Sequence, residues 1–293
     1  MEPDYIKLKD IKPALSGYLK ESLGLLELFP VPDDRIIHDV RVLMKKSRAV
    51  MKLVAGSFGS DFFNREYGTF REVGRILCSW RESSVHRKTL KDLKKMHPSV
   101  FKQLSGDPKI DSLMKKTDQP AEPSTEVKET LEKIRELIYK SSYRIRFQTM
   151  TDINPEILLK ELEKSYMLTA EKYLTSRNSL KPSDIHEFRK RAKDFLYQLW
   201  FFRPVNPLAI KSLEKKLDTL TQNLGKFNDL DQLIRSFEYK YSADSALPAM
   251  DELIILVRQE QDWYISRVWS AAYKIFRPGR PLESVMGFKV LRL

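Results

Sequence analysis

Apolar residues recur along the chain at three- and four-residue intervals, and proline, glycine and polar clusters cut the pattern into runs. Eight or so helical segments are predicted. The first covers 11–28 and stops before Pro30-Val31-Pro32. Asp33 or Asp34 then caps a long helix running to about Phe58, where Gly56 and Gly59 break it. A third covers 62–81, and 85–96 continues it after a bend, up to Pro98. The stretch 105–125 carries Gly106, Pro108, Pro120 and Pro123 among polar residues and reads as a flexible loop. Residues 126–149 are helical again. Beyond Asn154-Pro155, helices are predicted over 156–175, 185–202, 208–241 and 247–276. Lys181-Pro182-Ser183-Asp184 reads as a loop with a cap, Gly225 as a kink, and Pro278-Gly279-Arg280-Pro281 as a stop.

The layout contains a repeat. Ile37-His38-x-x-Arg41-x-x-x-Lys45 returns as Ile185-His186-x-x-Arg189-x-x-x-Lys193, 148 residues on. A weaker pair, Leu77-x-x-x-Arg81-Glu82 and Leu224-x-x-x-Asn228-Asp229, stands 147 apart. Two matches at nearly one offset, in one order, argue for internal duplication. The predicted fold is all-α, with 1–150 and 151–293 each supplying the helices of a four-helix bundle and together making one domain.

Composition sharpens this reading. Only 10 of 293 residues are glycine, too few for a protein built on tight hairpins. The net charge is +12, which suggests a polyanionic partner. Residues 1–150 hold 29 Lys and Arg against 21 Asp and Glu, while 151–293 hold 23 against 19, so the first half should dominate anion binding. Cys78 is the single cysteine, which excludes a disulfide framework and a cysteine-based zinc site within one chain. The N-terminal MEPDYIKLKD lacks the regions of a signal peptide, and no stretch is apolar enough to span a membrane. A reducing, cytoplasmic location is expected, with no membrane partner and no cofactor.

Charge is organised as well as abundant. His38, Arg41, Lys45, Arg48 and Lys52 follow one another at intervals of 3, 4, 3 and 4 residues. At roughly 100° per residue they share an arc of about 80°, opposite the apolar set around Val40, Met44 and Met51. This basic seam is roughly 21 Å long at 1.5 Å per residue, a match for a linear anion. No acid on the same helix pairs with it at i,i+4 spacing, so the cations repel one another without structural gain. In the second half His186, Arg189 and Lys193 share an arc, Lys190 lies beside it, and Tyr197 and Trp200 continue it. Arg71 and Arg75 form a further basic pair, whose counterparts are Asp218 and Gln222. Histidine among cations favours its neutral form and can still donate one N–H to an anion. With four histidines and no metal-ligand spacing, no metal is expected.

Four stretches resemble the CHAD family, the conserved histidine α-helical domain. IHEFRKRAKDFLYQLWFF (185–202) is similar to the family's signature helix and LGKFNDLDQL (224–233) to its second block. IHDVRVLMKKSRAV (37–50) and FREVGRILCSWRESSV (70–85) resemble the corresponding blocks of the first half. The resemblance implies two four-helix bundles related by pseudo-twofold symmetry around a basic surface or pore. It implies binding of inorganic polyphosphate, with polyphosphate granules as a site of association, and no catalysis. Carried over by position, the anion-binding residues are His38, Arg41, Lys45, Arg48, Arg71, Arg75 and Arg81, then His186, Arg189, Lys190 and Lys193. Lys52 joins them from the seam alone. Glu82 and Asp229 are expected to orient the cations. Cys78 stands where a small residue is usual, and Glu82 where aspartate is usual. The acidic or neutral Asp218 and Gln222 make the second half the weaker one.

Two other classes stay open. Basic helices also suit nucleic-acid phosphates, although no helix-turn-helix, RRM or OB pattern is present. A metal-dependent phosphohydrolase would find His38-Asp39 but no further ligands. No E-x-E-x-K strand or Walker A loop offers phosphoryl transfer.

Overall fold

The computed structural model describes residues 11–27, 33–80, 82–106, 110–111, 114, 125–149, 155–240 and 248–287. Every regular element among them is helical: α1 (Ile11–Glu27), α2 (Asp34–Leu53), α3 (Ser60–Ser79), α4 (Glu82–Met96), α5 (Pro98–Gln103), α6 (Thr125–Phe147), α7 (Pro155–Ser179), α8 (Pro182–Leu199), α9 (Pro207–Lys240), α10 (Pro248–Phe276) and α11 (Leu282–Met286). Single 3-10 turns, Ala55–Ser57 and Trp200–Phe202, follow α2 and α8. Most of the loop expected over 105–125 lies outside the described residues. None of the described helices is long and apolar enough to cross a membrane.

Local chemistry explains the boundaries. Asp33 caps α2 by accepting a hydrogen bond from the Ile36 amide at 2.8 Å. The loop expected at 181–184 is instead the first turn of α8, with Pro182 at the first helical position, where its missing N–H costs nothing. Gly225, where a kink is expected, does not interrupt α9, which is assigned as one helix through it. One glycine costs a helix about 1 kcal/mol, and the burial of Leu224 and Phe227 on either side outweighs that. The short α11, beyond the proline-rich stop, was not anticipated; it buries Leu282, Val285 and Met286.

Packing follows a simple plan. Helices α1, α2, α3 and α6 form a ring, each against the next. Helices α7, α8, α9 and α10 form a second ring in the same sequential order. The rings meet through α2 and α8, with α2 also touching α7. One continuous apolar core runs from Ile11 to Met286 through both.

The remaining first-half helices do not join the first ring. α4 packs on α9, and α5 on α10. Leu90, Leu93, Val100 and Phe101 meet Leu233, Phe237, Leu253 and Val257 in a separate apolar cluster. The ends of α9 and α10 thus extend beyond the ring and are covered by chain from the first half. Lys226–Asp92 (3.0 Å) and His97–Glu260 (3.3 Å) pin this extension at its polar edges.

Candidate anion-binding surface

Helix α8 illustrates how the fold sets the second seam. Ile185, Phe188, Ala192, Phe195 and Leu199 bury one face, which fixes the opposite edge against α9. His186 donates from Nδ1 to Asn228 Oδ1 at 2.7 Å. The ring is half-buried, and burial lowers its pKa below the usual 6.5. The Asn228 bond opposes that shift, and the nearby Lys190 and Arg189 charges reinforce it. One turn on, the Arg189 guanidinium lies against Gly225 of α9. Burial lowers its pKa too, and the Asp229 carboxylate opposes the shift. Lys193 pairs with Asp218 of α9 at 3.2 Å; burial lowers its pKa and Asp218 pulls it back. Lys190 turns outward to Glu187 at 2.5 Å.

The first seam is held differently. Arg41 donates from Nη1 to the Gly74 carbonyl of α3. His38 and Lys45 are half-buried on the same edge of α2. Arg48 is also half-buried, and its Nε has no hydrogen-bond partner among the described residues. Lys52 pairs with Asp194 of α8 at 2.6 Å and lies 5.5 Å from the Tyr67 ring. Arg71 is exposed on α3. Arg75 is exposed and held by Glu72 through two hydrogen bonds of 2.8 and 2.9 Å. Arg81, and the side chain of Glu82, lie outside the described residues.

The seams therefore do have acidic partners. They come from neighbouring helices, Asp194 to Lys52 and Asp218 to Lys193, where spacing along a single helix could not reveal them. The aromatic continuation of the second seam points to the interface between the rings. Trp200 packs under Lys46 at 4.8 Å, and burial pushes the Tyr197 hydroxyl up to about 12.

Contacts between α2 and α8 set the relation of the two seams. Lys46 meets Trp200, Gln198 donates to the Ala49 carbonyl at 3.0 Å, and Lys52 meets Asp194. As one number rises the other falls, so the helices run antiparallel, with Ala49 and Tyr197 near the middle. His38 and His186 stand at opposite outer ends. Both seams line grooves with the next helix of their own ring, α3 for one and α9 for the other.

Asn228, Gly225, Asp194 and Lys46 escaped sequence reasoning as partners of the seam. Asn228 stands 42 residues from His186, and only ring closure brings them together. The available signals were a glycine retained inside a long helical run and the place of Asn228 in the weaker repeat pair. Among the described residues, no group of three or more His, Cys, Asp or Glu side chains gathers as metal ligands do.

A family model described as the CHAD domain matches residues 25–237 of this chain. That span takes in α2 through α8 and all but the last three residues of α9, and therefore both seams. No curated protein matches the chain significantly.

Proposed function

Because the chain belongs to the CHAD family, we propose that it binds inorganic polyphosphate along the two seams of α2 and α8, and does so without turning the chain over. The observation that carries this reading is the antiparallel contact of those two helices. It aligns the seams end to end. From His38 to the Ala49–Tyr197 midpoint and on to His186 the path is about 33 Å at 1.5 Å per residue. A rigid row of cations that long suits a linear anion with one charge on every unit. It gives no advantage to a short one.

The two rings are read as products of a duplication, related by a pseudo-twofold axis near Ala49 and Tyr197. Ile37, Val40, Met44 and Met51 are buried, as are Ile185, Phe188, Ala192 and Leu199, each 148 residues later. Phe70, Val73 and Leu77 are matched by buried Leu217, Leu220 and Leu224, each 147 later. A twofold through that midpoint also pairs Lys46–Trp200 with Asp194–Lys52, since 46 and 194, like 52 and 200, are repeat partners. The first ring is read as the stronger arm, because Arg71 and Arg75 stand there where the second has Asp218 and Gln222. A reducing, cytoplasmic site of action, at polyphosphate granules, accords with this ligand.

The test is a titration of the full chain with long-chain polyphosphate, tripolyphosphate and single-stranded DNA, at matched phosphate and several salt concentrations. About eight neutralised phosphates give a log–log salt slope near −5 or −6, at roughly −0.7 each. Long polyphosphate is expected to bind most tightly, and its length distribution to be unchanged afterwards. Equal affinity for tripolyphosphate would indicate a discrete pocket instead. Preference for DNA would move the chain to nucleic-acid binding, and shortened chains would make it an enzyme.

A further inference from the structure

Gly225 is out of place by local rules. It lies inside the 34-residue helix α9, buried, with ordinary helical backbone. Glycine is among the poorest helix formers and alanine the best. No turn or positive φ calls for it. What it does provide is space. A Cβ at 225 would stand 3.2 Å from Arg189 Nη2, 3.4 Å from Nε and 3.7 Å from Cζ. Nη2 and Nε are both nearer to that point than Cζ is, so the guanidinium meets the bare Cα with its Nε–Nη2 edge.

The site around this contact is costly to maintain. Arg189 Nε is buried and has no hydrogen-bond partner among the described residues. Burial disfavours the guanidinium charge, and Asp229 only opposes that effect. A guanidinium charge held in this way, one turn from His186, is favoured by an anion brought beside it. The first ring solves the problem differently. Its counterpart of Gly225 is Cys78, with an exposed side chain, and Arg41 reaches Gly74 one turn earlier, bonding its carbonyl. A Cβ at Gly74 would meet nothing within 4 Å.

We propose that Gly225 is a positioning residue of the anion site: its missing Cβ seats the Arg189 guanidinium in the α8–α9 groove beside His186, so that this end of the surface is preorganised for a phosphoryl oxygen. The assignment rests on the polyphosphate reading above. It predicts that helix stability and ligand affinity are opposed at this one position. Adding a methyl group should improve the helix, displace the guanidinium and weaken binding.

The experiment compares the full chain with Gly225→Ala, Arg189→Ala and the double variant. Each is titrated with long-chain polyphosphate at several salt concentrations, its melting temperature is taken, and the Arg189 Nε–H is followed by NMR, assigned by its loss in Arg189→Ala. In Gly225→Ala the expected results are a melting temperature no lower than the parent's and a faster-exchanging Nε–H. Affinity should be about tenfold lower, with the salt slope shallower by roughly 0.7, the value of one contact. In the Arg189→Ala background the same substitution should change neither affinity nor slope. Should Gly225→Ala fail to fold, the double variant relieves the clash and its comparison with Arg189→Ala remains. Parent-like affinity and slope in Gly225→Ala would overturn the proposal. So would a loss of affinity that persists in the Arg189→Ala background. If the parent itself ignores polyphosphate while Nε–H exchange still responds to the methyl group, the polyphosphate reading falls and Gly225 is a packing residue only.

Discussion

Lys52 of α2 and Asp194 of α8 form a 2.6 Å ion pair across the junction of the two rings, with 27% and 17% of their side chains exposed. Lys52 thus belongs to the contact between the arms as much as to the seam that predicts it. Asp194→Ala leaves a half-buried ammonium without its acid. A destabilisation of about 1–3 kcal/mol is expected, near the cost of orphaning a charged partner. Denaturant unfolding measures it. An unchanged midpoint would show that solvent replaces Asp194 without loss.

Asp218 competes for Lys193. Asp218→Asn removes the competing charge while keeping the shape. Half of the Asp218 side chain is exposed, so stability should move by less than about 0.5 kcal/mol. Polyphosphate affinity should rise, with the salt slope steeper by roughly 0.7 as one more cation becomes available. Titration at three salt concentrations reads both quantities. Unchanged affinity would place Lys193 outside the binding path.

Binding should strengthen as pH falls, through His186. In the free protein its Nδ1–H donates to Asn228, so the neutral ring keeps its lone pair at Nε2. Protonation converts Nε2 to a donor, and a bound polyanion favours that form. The pKa, lowered in the free fold, rises on binding. A proton is therefore taken up, and affinity grows as pH drops from the bound-state pKa towards the lower free-state value, then levels off. The sign for stability is opposite. The folded pKa lies below the unfolded value of 6.5, so this contribution is present above pH 6.5 and is lost as pH falls through the folded pKa. His186→Gln should flatten this part of the affinity profile, as isothermal titration in buffers of different ionisation enthalpy would register.

Glu66 tests the scaffold independently of the site. Its carboxylate is wholly buried in α3 and accepts from Ser141 and Arg144 of α6 at 2.5 Å each. Glu66→Ala strands Arg144 and is expected to cost about 3–5 kcal/mol. Molecules that remain folded should bind polyphosphate as before. A selective loss of binding at preserved stability would draw α6 into the functional surface.

The helices were legible in the sequence because burial has a period there. Ile37, Val40 and Met44 repeat at the helical interval, and their spacing alone turns the opposite edge of α2 outward with His38, Arg41 and Lys45 upon it. The echo of that pattern around His186 survived for the same reason, since side chains on one face keep their order whatever they later touch. Partners between helices have no such signature. Asn228 for His186, Asp218 for Lys193, Asp194 for Lys52 and Gly225 for Arg189 lie 25 to 142 residues away. Which of them meet depends on how two rings close and on an antiparallel crossing near Ala49. The sequence by itself determined which face of each helix is cationic. Only the tertiary structure decided which of those cations are already engaged, because a counter-charge acts through distance in space and carries no period along the chain.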